Sequence, residues 1–486
     1  MKSHHHAALL CAALSTGCAL APVHQRPAAP VAASYPTGPA YAGAQAGTGT
    51  SRIAAFEIGW RDFLADARLR RLVELGLANN ADLRVAMLNV ERVRAQYALQ
   101  RSNQSPQVGA DVSSGRSSTL ANGTRNSFSA SLIASWELDF FGRLRNLSDA
   151  ARLTYLASAH ARQAAEILLV SQIADQYLTL VADDALLAVT QNTLKAAQAA
   201  YDIVQVQFNA GIAAELDLRL AQTTVDQAEA DLAAETRQRA QAENALVLLV
   251  GQALPADLPA PLMLDQQALA TLPAGLPSEL LTRRPDILQA EVALQAENAN
   301  IGAARAAFFP SISLTGSAGS SSSALGSLFK AGSSVWSFVP ALVQPIFNGG
   351  ANQASLDIAR IDKDIGVVRY QQAIQTAFRE VADGLAAQGT YDRQLAVQQR
   401  NAASQQRRLE LQTQLYQSGL DTYQNVLTAQ TALYSAQTSL VTARVNQLIS
   451  QVDLYRALGG GWIGRTGETP RALDAGLRTS PTAAQR

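Results

Sequence analysis

Few residues of this chain are equipped for covalent or metal chemistry. Of its two cysteines and five histidines, Cys11, His4, His5 and His6 lie before residue 18, Cys18 follows, and only His24 and His160 stand further along. A zinc site takes three or four clustered ligands, usually including Cys or His, and none can be built here, so no metal is expected. His160 sits alone in a helical stretch without an orienting partner and is expected on a helix surface. Gly459-Gly460-Gly461 lacks the following Lys-Ser/Thr of a phosphate loop. Neither a nucleophile elbow nor a dinucleotide fingerprint occurs, which excludes most enzyme chemistry and leaves no cofactor to place. What remain are carboxylates at marked positions. Glu215 and Asp217 follow Gly211, and Asp421 follows Gly419. Acids just past a helix-ending glycine complement the positive N-terminal end of the next helix.

The first residues carry the other reactive group. Lys2 opens a short positive region, and Ala7 to Leu14 is an apolar run of signal-peptide length. Leu14-Ser15-Thr16-Gly17-Cys18 then resembles a bacterial lipoprotein signal, with the leucine one position further from the cysteine than the usual pattern has it. Residues 1–17 are expected to be removed and Cys18 to carry covalent lipid, such as palmitate; an ordinary signal peptide with an incidental cysteine is the alternative. In lipoproteins generally, a residue other than Asp after the cysteine, here Ala19, favours export to the outer membrane. With Cys11 lost and Cys18 acylated, the mature chain has neither thiol nor disulfide.

Composition narrows the class further. The 486 residues hold 39 Lys+Arg against 39 Asp+Glu, so formal charge balances. Neither nucleic acid nor an anionic membrane surface would attract such a chain strongly. The apolar fraction is 48 %, yet aromatics supply only 6 %, and Ala dominates the middle segments, a composition suited to close helix–helix contact. No stretch approaches the ~20 consecutive apolar residues of a transmembrane helix. A helical membrane protein is therefore excluded.

The elements that must position these residues come in two copies. Asn80-Ala81-Asp82-Leu83 has a counterpart in Arg284-Pro285-Asp286-Ile287, and Pro106 in Pro310, both 204 residues later. Phe141-Gly142 matches Asn348-Gly349 at 207, while Gly211 matches Gly419 and Gly251 matches Gly459 at 208. Such self-similarity marks a tandem repeat. Between Gly142 and Gly211 there are 68 residues without Gly or Pro, and 39 between Gly211 and Gly251. The second copy has the same spans, interrupted only by Gly366, Gly384 and Gly389, each of which loosens a helix by ~1 kcal/mol without ending it. Spans so free of breakers predict very long helices, roughly 100 Å for 68 residues at 1.5 Å each. Helices of that length must lie against others. Ile167, Val170, Ile173, Ala174, Tyr177 and Leu180 form the packing stripe, whereas Asp175, Asp183, Asp184 and Lys195 are expected on a solvated face.

Between the helical runs the period changes to two. Phe128, Ala130, Leu132, Ala134, Trp136 and Leu138 alternate with residues that are mostly serines and acids; Ile312, Leu314, Gly316 and Ala318 alternate with serines and Thr315. Trp336, Phe338, Pro340 and Leu342 alternate on the return strand. This pattern predicts one hairpin per copy, about 107–139 and 311–345, wet on one face and apolar on the other. Strands of about ten residues cross a bilayer when tilted; a small soluble sheet packed on the helices is the alternative. Four strands cannot close a transmembrane barrel, and open edges in lipid leave peptide groups unpaired. Hairpins that span a membrane therefore need partner chains to complete the wall.

Four stretches carry a specific resemblance: Leu281-Thr282-Arg283-Arg284-Pro285-Asp286, Ala306-Ala307-Phe308-Phe309-Pro310-Ser311-Ile312, Trp136-Glu137-Leu138-Asp139-Phe140-Phe141-Gly142-Arg143 and Pro345-Ile346-Phe347-Asn348-Gly349-Gly350. From about Gly59 to Trp462 the chain resembles the TolC-like outer-membrane efflux factors, in the OprM/NodT lipoprotein branch. The resemblance implies an α+β membrane fold: a homotrimer whose 12-stranded β-barrel continues into a 12-helix α-barrel ringed by a mixed equatorial belt. It implies a passive duct in the outer membrane of a Gram-negative bacterium, joined through a periplasmic adaptor to an inner-membrane RND-type pump and exporting drugs and toxic compounds.

The periplasmic tip is then expected at Gly211 and Gly419, where each long helix reverses, and the resemblance places an acidic gate residue at Asp421. Asn425 and Thr428 stand where other TolC-like members have aspartates, so a double acidic ring is absent from the second copy, and Glu215 and Asp217 supply acid in the first. An acidic ring in a narrow pore favours cations and resists closure. Tyr416 and Arg407 are candidate partners. The expected divisions are the signal at 1–17, a lipidated extended arm at 18–58, the first repeat at 59–270 with helices about 143–210 and 212–250, the second at 271–462 with helices about 351–418 and 420–458, and a disordered tail at 463–486. Two other functions fit parts of the pattern. A duct for type I protein secretion fits the same wall, while a structural cell-envelope lipoprotein leaves the hairpins unexplained.

Overall fold

The computed structural model describes residues 20–41, 54–119, 123–270, 272, 280 and 282–468. After a helical turn at Trp60–Phe63, the first copy contains α1 (Ala67–Asn79), α2 (Ala81–Ser102), β1 (Gln107–Thr119), β2 (Gly123–Leu138), α3 (Arg143–Asn209) and α4 (Glu215–Val250). The second contains α5 (Pro285–Ala306), β3 (Ser311–Ser322), β4 (Ser334–Val343), α6 (Ala351–Gln417) and α7 (Tyr423–Ala457). α3 and α6 have 67 residues each, and α2 and α5 have 22 each.

The helix boundaries follow from local chemistry. Asp66 caps α1 by accepting from the N–H groups of Arg68 and Leu69, and Asn80 caps α2 by accepting from Leu83 N–H. Pro285 opens α5, where its missing N–H costs nothing. Gly251 ends α4 with φ +76°, and a Cβ there would stand 2.5 Å from the Asn79 carbonyl oxygen, so only glycine fits. Gly366, Gly384 and Gly389 all lie inside the unbroken α6.

The four strands form one antiparallel sheet in the order β1-β2-β3-β4. Its register puts Ala110 beside Leu132, Leu132 beside Ala318, and Ala318 beside Trp336. The alternating apolar positions of all four strands therefore share one continuous face. The helices nearest the sheet repeat that order: α2 packs on α3, α3 on α5, and α5 on α6. Beyond them α3 pairs with α4, α6 pairs with α7, and α7 returns to α3.

The main core lies midway along the long helices. Trp60, Phe63, Leu69, Leu72 and Val73 pack against Ile173, Tyr177 and Leu178 of α3, Leu246 and Val250 of α4, Tyr370 and Ile374 of α6, and Leu448 and Tyr455 of α7. The Phe63 and Tyr455 rings stack at 4.1 Å. Every residue of the stripe from Ile167 to Leu180 named above is buried.

Three sequence expectations require correction. Asp183 is buried rather than solvated, and one Asp175 carboxylate oxygen is fully enclosed without a hydrogen-bond partner. Both carboxyls are pushed up, Asp175 to about 8 and Asp183 to about 6, chiefly by burial and further by neighbouring acids. His160 is half-buried, which pushes its imidazole down. The tail does not become disordered at 463: Trp60 N–H donates to Ile463 O at 3.0 Å, and Thr466 N–H to the Asp62 carboxylate at 2.7 Å. The signal, Cys18 and residues 469–486 lie outside the described residues.

Candidate functional site

The tip is built from the two helix reversals. Gly211 has φ +72° and Gly419 φ +71°, the left-handed conformation that lets α3 turn into α4 and α6 into α7 within a few residues. A small second core closes this end: Val204 of α3, Leu218 and Ala221 of α4, and Tyr423, Val426 and Leu427 of α7. Tyr416 and Tyr423 meet at 5.3 Å between centroids, and the Tyr416 hydroxyl donates to Gln207 Oε1 at 3.0 Å.

The acids divide into two kinds. Asp421 Oδ1 accepts from Thr422 N–H at 2.7 Å and from the Asn425 amide at 2.6 Å, which holds it at the start of α7. Glu215 is exposed and paired with Arg219 at 3.2 Å. Asp217 is half-buried, and its charge acts on the tyrosines: after burial it raises Tyr416, and with Tyr416 it helps push Tyr423 to about 12. Within one chain, then, Tyr416 meets Tyr423 and Gln207 and feels the charge of Asp217, whereas Arg407 is paired with Glu410 at 2.8 Å. The turn apices expose Ile212, Leu216 and Leu420 at 76, 68 and 76 %.

At the other end, the sheet presents its apolar face uncovered. Val112, Leu132, Trp336, Phe338 and Leu342 are all more than half exposed. The opposite face is serine-rich, with Ser113···Ser129 and Ser317···Ser337 hydroxyl pairs at 2.7 and 2.8 Å across the strands. Among the described residues, strands β1 and β4 each pair on one side only. Below them the sequence signatures make the strand-to-helix corners. Asp139 accepts from the N–H groups of Leu144 and Arg145, Arg143 grips Glu137 with both contacts from Nη2 at 2.8 Å, and Phe141 of the first copy stacks on Phe309 of the second at 4.8 Å.

The described arm runs along α5 and α6. Arg305 donates to Leu20 O at 2.9 Å, only a few residues before β3 begins; Arg26 clasps Glu291 at 2.8 and 2.6 Å; Tyr35 stacks on Phe378 at 5.3 Å. Sequence reasoning missed Arg284 as a junction. Its buried guanidinium reaches Asp286 at 2.6 Å, Glu380 at 2.7 Å and the Ala457 carbonyl at 3.0 Å, tying the start of α5 to α6 and the end of α7.

Residues 72–252 and 276–460 match the family model described as outer membrane efflux protein, one segment per copy. The chain belongs to that family. It is 46 % identical over 460 residues to the toluene efflux pump outer membrane protein TtgC of Pseudomonas putida, covering 93 % of this chain and 94 % of that one. To the cation efflux system protein CusC of Escherichia coli it is 43 % identical over 457 residues, 93 % of this chain and 98 % of that one. Among solved structures, the open-state MtrE outer membrane channel of Neisseria gonorrhoeae superposes with a TM-score of 0.83 at 38 % identity, covering 93 % of this chain and all of that one. The fold is the TolC-like outer membrane channel fold with two repeats. This member of the outer membrane efflux protein family is thus a non-enzymatic channel in the outer membrane of a Gram-negative bacterium, the outer-membrane component of a tripartite efflux system.

Proposed function

We propose that three copies close head to tail into one duct: twelve strands through the outer membrane and a continuous ring of helices below. The observation that carries this reading is that sheet and helix layer share one order and end in the same two open edges. β1 and α2 form one edge, and β4 and α6 the other. α6 exposes Ile358, Ile361, Ile365 and Val368 and α2 exposes Val85, Leu88 and Leu99, so both edges offer apolar surface as well as unpaired backbone. A strand edge left open in lipid costs several kcal/mol per unpaired group, and joining unlike edges generates a closed ring.

The duct conducts small molecules passively, the class being that of relatives named for toluene and cation efflux, while an inner-membrane RND-type pump and a periplasmic adaptor supply energy and connection. The lipid on Cys18 holds the arm at the membrane: Leu20, two residues on, is bonded at the foot of β3. The tip forms the gate. Asp217, whose charge reaches Tyr416 and Tyr423, together with Asp421 at the neighbouring turn, sets the charge of the aperture, and Gly211 and Gly419 mark the hinge ends of the helix pairs.

Planar-bilayer recording of the purified protein tests the gate. Asp421→Ala combined with Asp217→Ala is expected to lower cation selectivity and change conductance. Unaltered conductance and selectivity would leave these acids only their role at the helix starts.

A further inference from the structure

A polar chain, buried at Tyr177, Asp66, Gln267 and Gln447 but half-buried at Arg444 and exposed at Asp392, crosses the belt around residues 261–267 and joins the two copies far from the tip. It begins at the Tyr177 hydroxyl on α3, which donates to Asp66 Oδ2 at 2.6 Å. The same oxygen accepts from Gln267 Nε2 at 2.8 Å, while Asp66 Oδ1 caps α1. The Gln267 carbonyl accepts from Arg444 Nη2 of α7 at 2.7 Å, and Arg444 also reaches the Leu264 and Asp265 carbonyls, each at 3.5 Å. Arg444 Nη1 donates to Gln447 Oε1 at 2.6 Å, and Gln447 Nε2 to Asp392 Oδ1 of α6. Tyr177, Asp66, Gln267 and Gln447 are all buried.

The chain adds a polar link between helices whose apolar faces already meet in the main core, where α7 packs on both α6 and α3. Residues 261–265 line an open groove of about 690 Å³ together with Val181, Ala185 and Ala188 of α3, Leu395 of α6, and Leu440 and Val441 of α7. Close-packed side chains resist sliding because ridges sit in grooves, whereas along this open groove the facing side chains do not interdigitate. At the groove, lateral position is therefore set by the polar strap above it together with the neighbouring core.

We propose that Asp66, Gln267, Arg444, Gln447 and Asp392 form a belt clasp that holds the α6–α7 hairpin against α3, so that its release loosens the distant tip. The clasp rests on the duct reading, because it regulates the same aperture. It acts through position, touching no conducted molecule: α6 and α7 run from this belt to the turn at Gly419, so a displacement at the belt is carried along two long rigid helices.

The test uses the full-length protein in planar bilayers, with thermal melting of the purified assembly in parallel. Gln267→Met removes the side-chain link to Asp66 and Arg444→Met the grip on the belt carbonyls; each is expected to raise conductance or open probability several-fold. Asp392→Asn, which keeps an acceptor for Gln447, should behave as the unsubstituted protein, while Asp392→Ala should share the release. Should Arg444→Met fail to assemble, Gln267→Met and Asp392→Ala decide alone. Variants that melt earlier yet conduct as before overturn the clasp and leave only a structural role. Silence of these variants, in a preparation where Asp421→Ala with Asp217→Ala conducts, overturns the clasp alone. Silence of every form overturns the duct itself.

Discussion

Asp175 places a titrating group inside the helix layer where a solvated one was expected. The charges of Asp453 and Arg456 on α7 act on it; burial dominates, Asp453 adds repulsion, and Arg456 offsets part of both, leaving the carboxyl pushed up from 3.8 to about 8. A group that binds its proton more tightly when folded stabilises the fold while protonated, and that contribution is lost as pH rises through the window from about 4 to about 8. Thermal melting of the purified protein should therefore show a stability that declines across this window. Asp175→Asn should flatten the decline, raising the midpoint at pH 8 by several degrees with little change at pH 5. Equal midpoint shifts at both values would show that Asp175 is ionised throughout. No local pattern announces this site. Ile173, Ala174 and Tyr177 reveal the buried stripe by their spacing of three or four, but the charges that act on Asp175 come from α7, almost 280 positions later in the chain.

At the scale of elements, the breaker-free spans made the long helices legible, and the matching glycines at 208 residues made their reversals legible. Alternation gave the strand faces correctly because successive side chains point to opposite faces of a sheet whose two faces differ in polarity. What could not be read was what packs across a helix. Gly389 looks like a weak point in α6 worth ~1 kcal/mol against alanine, yet a Cβ there would stand 2.1 Å from the Ala40 carbonyl oxygen. Gly384 likewise faces Leu454, whose side chain would lie 2.9 Å from an added Cβ. These glycines are docking sites for the arm and for α7. The two effects oppose each other in Gly389→Ala, and the clash with backbone wins, since a peptide group cannot rotate away as a flexible side chain can. The substitution is expected to free the arm around Ala40, which limited proteolysis would detect as faster cleavage between residues 20 and 41, with helix content by circular dichroism unchanged. Protection equal to that of the unsubstituted protein would mean the arm has room that the structure does not show. Arg284 was hidden for the same reason: its partner Glu380 is 96 positions away, and nothing in Arg284-Pro285-Asp286 points to it.

For the whole molecule, the decisive property is incompleteness. The sheet is apolar on one face, serine-lined on the other and unpaired at both ends, a combination stable neither in water nor alone in lipid. The helix layer has the same flaw on the same two sides, and the exposed isoleucines of α6, at 358, 361 and 365 with Val368, recur at helical spacing. A single edge of this kind could seat any partner; two unlike edges in matching order through both layers favour further copies of the same chain. Charge on one edge should thus prevent closure while leaving each chain its own core, because that core lies around Phe63, Ile173 and Tyr455, and Ile361 and Ile365 have no part in it. Ile361→Glu with Ile365→Glu is expected to shift the detergent-solubilised protein from three chains to one in analytical ultracentrifugation, to abolish bilayer conductance, and to keep helical circular dichroism. Leu132→Arg, in the middle of the apolar face, should act differently, by ~2–4 kcal/mol against insertion at the bilayer midplane, and so reduce the amount in the membrane without altering the stoichiometry of what arrives. Trimers that persist with charged α6 edges would place the seam on other surfaces and separate the helix ring from the sheet that its order so closely follows.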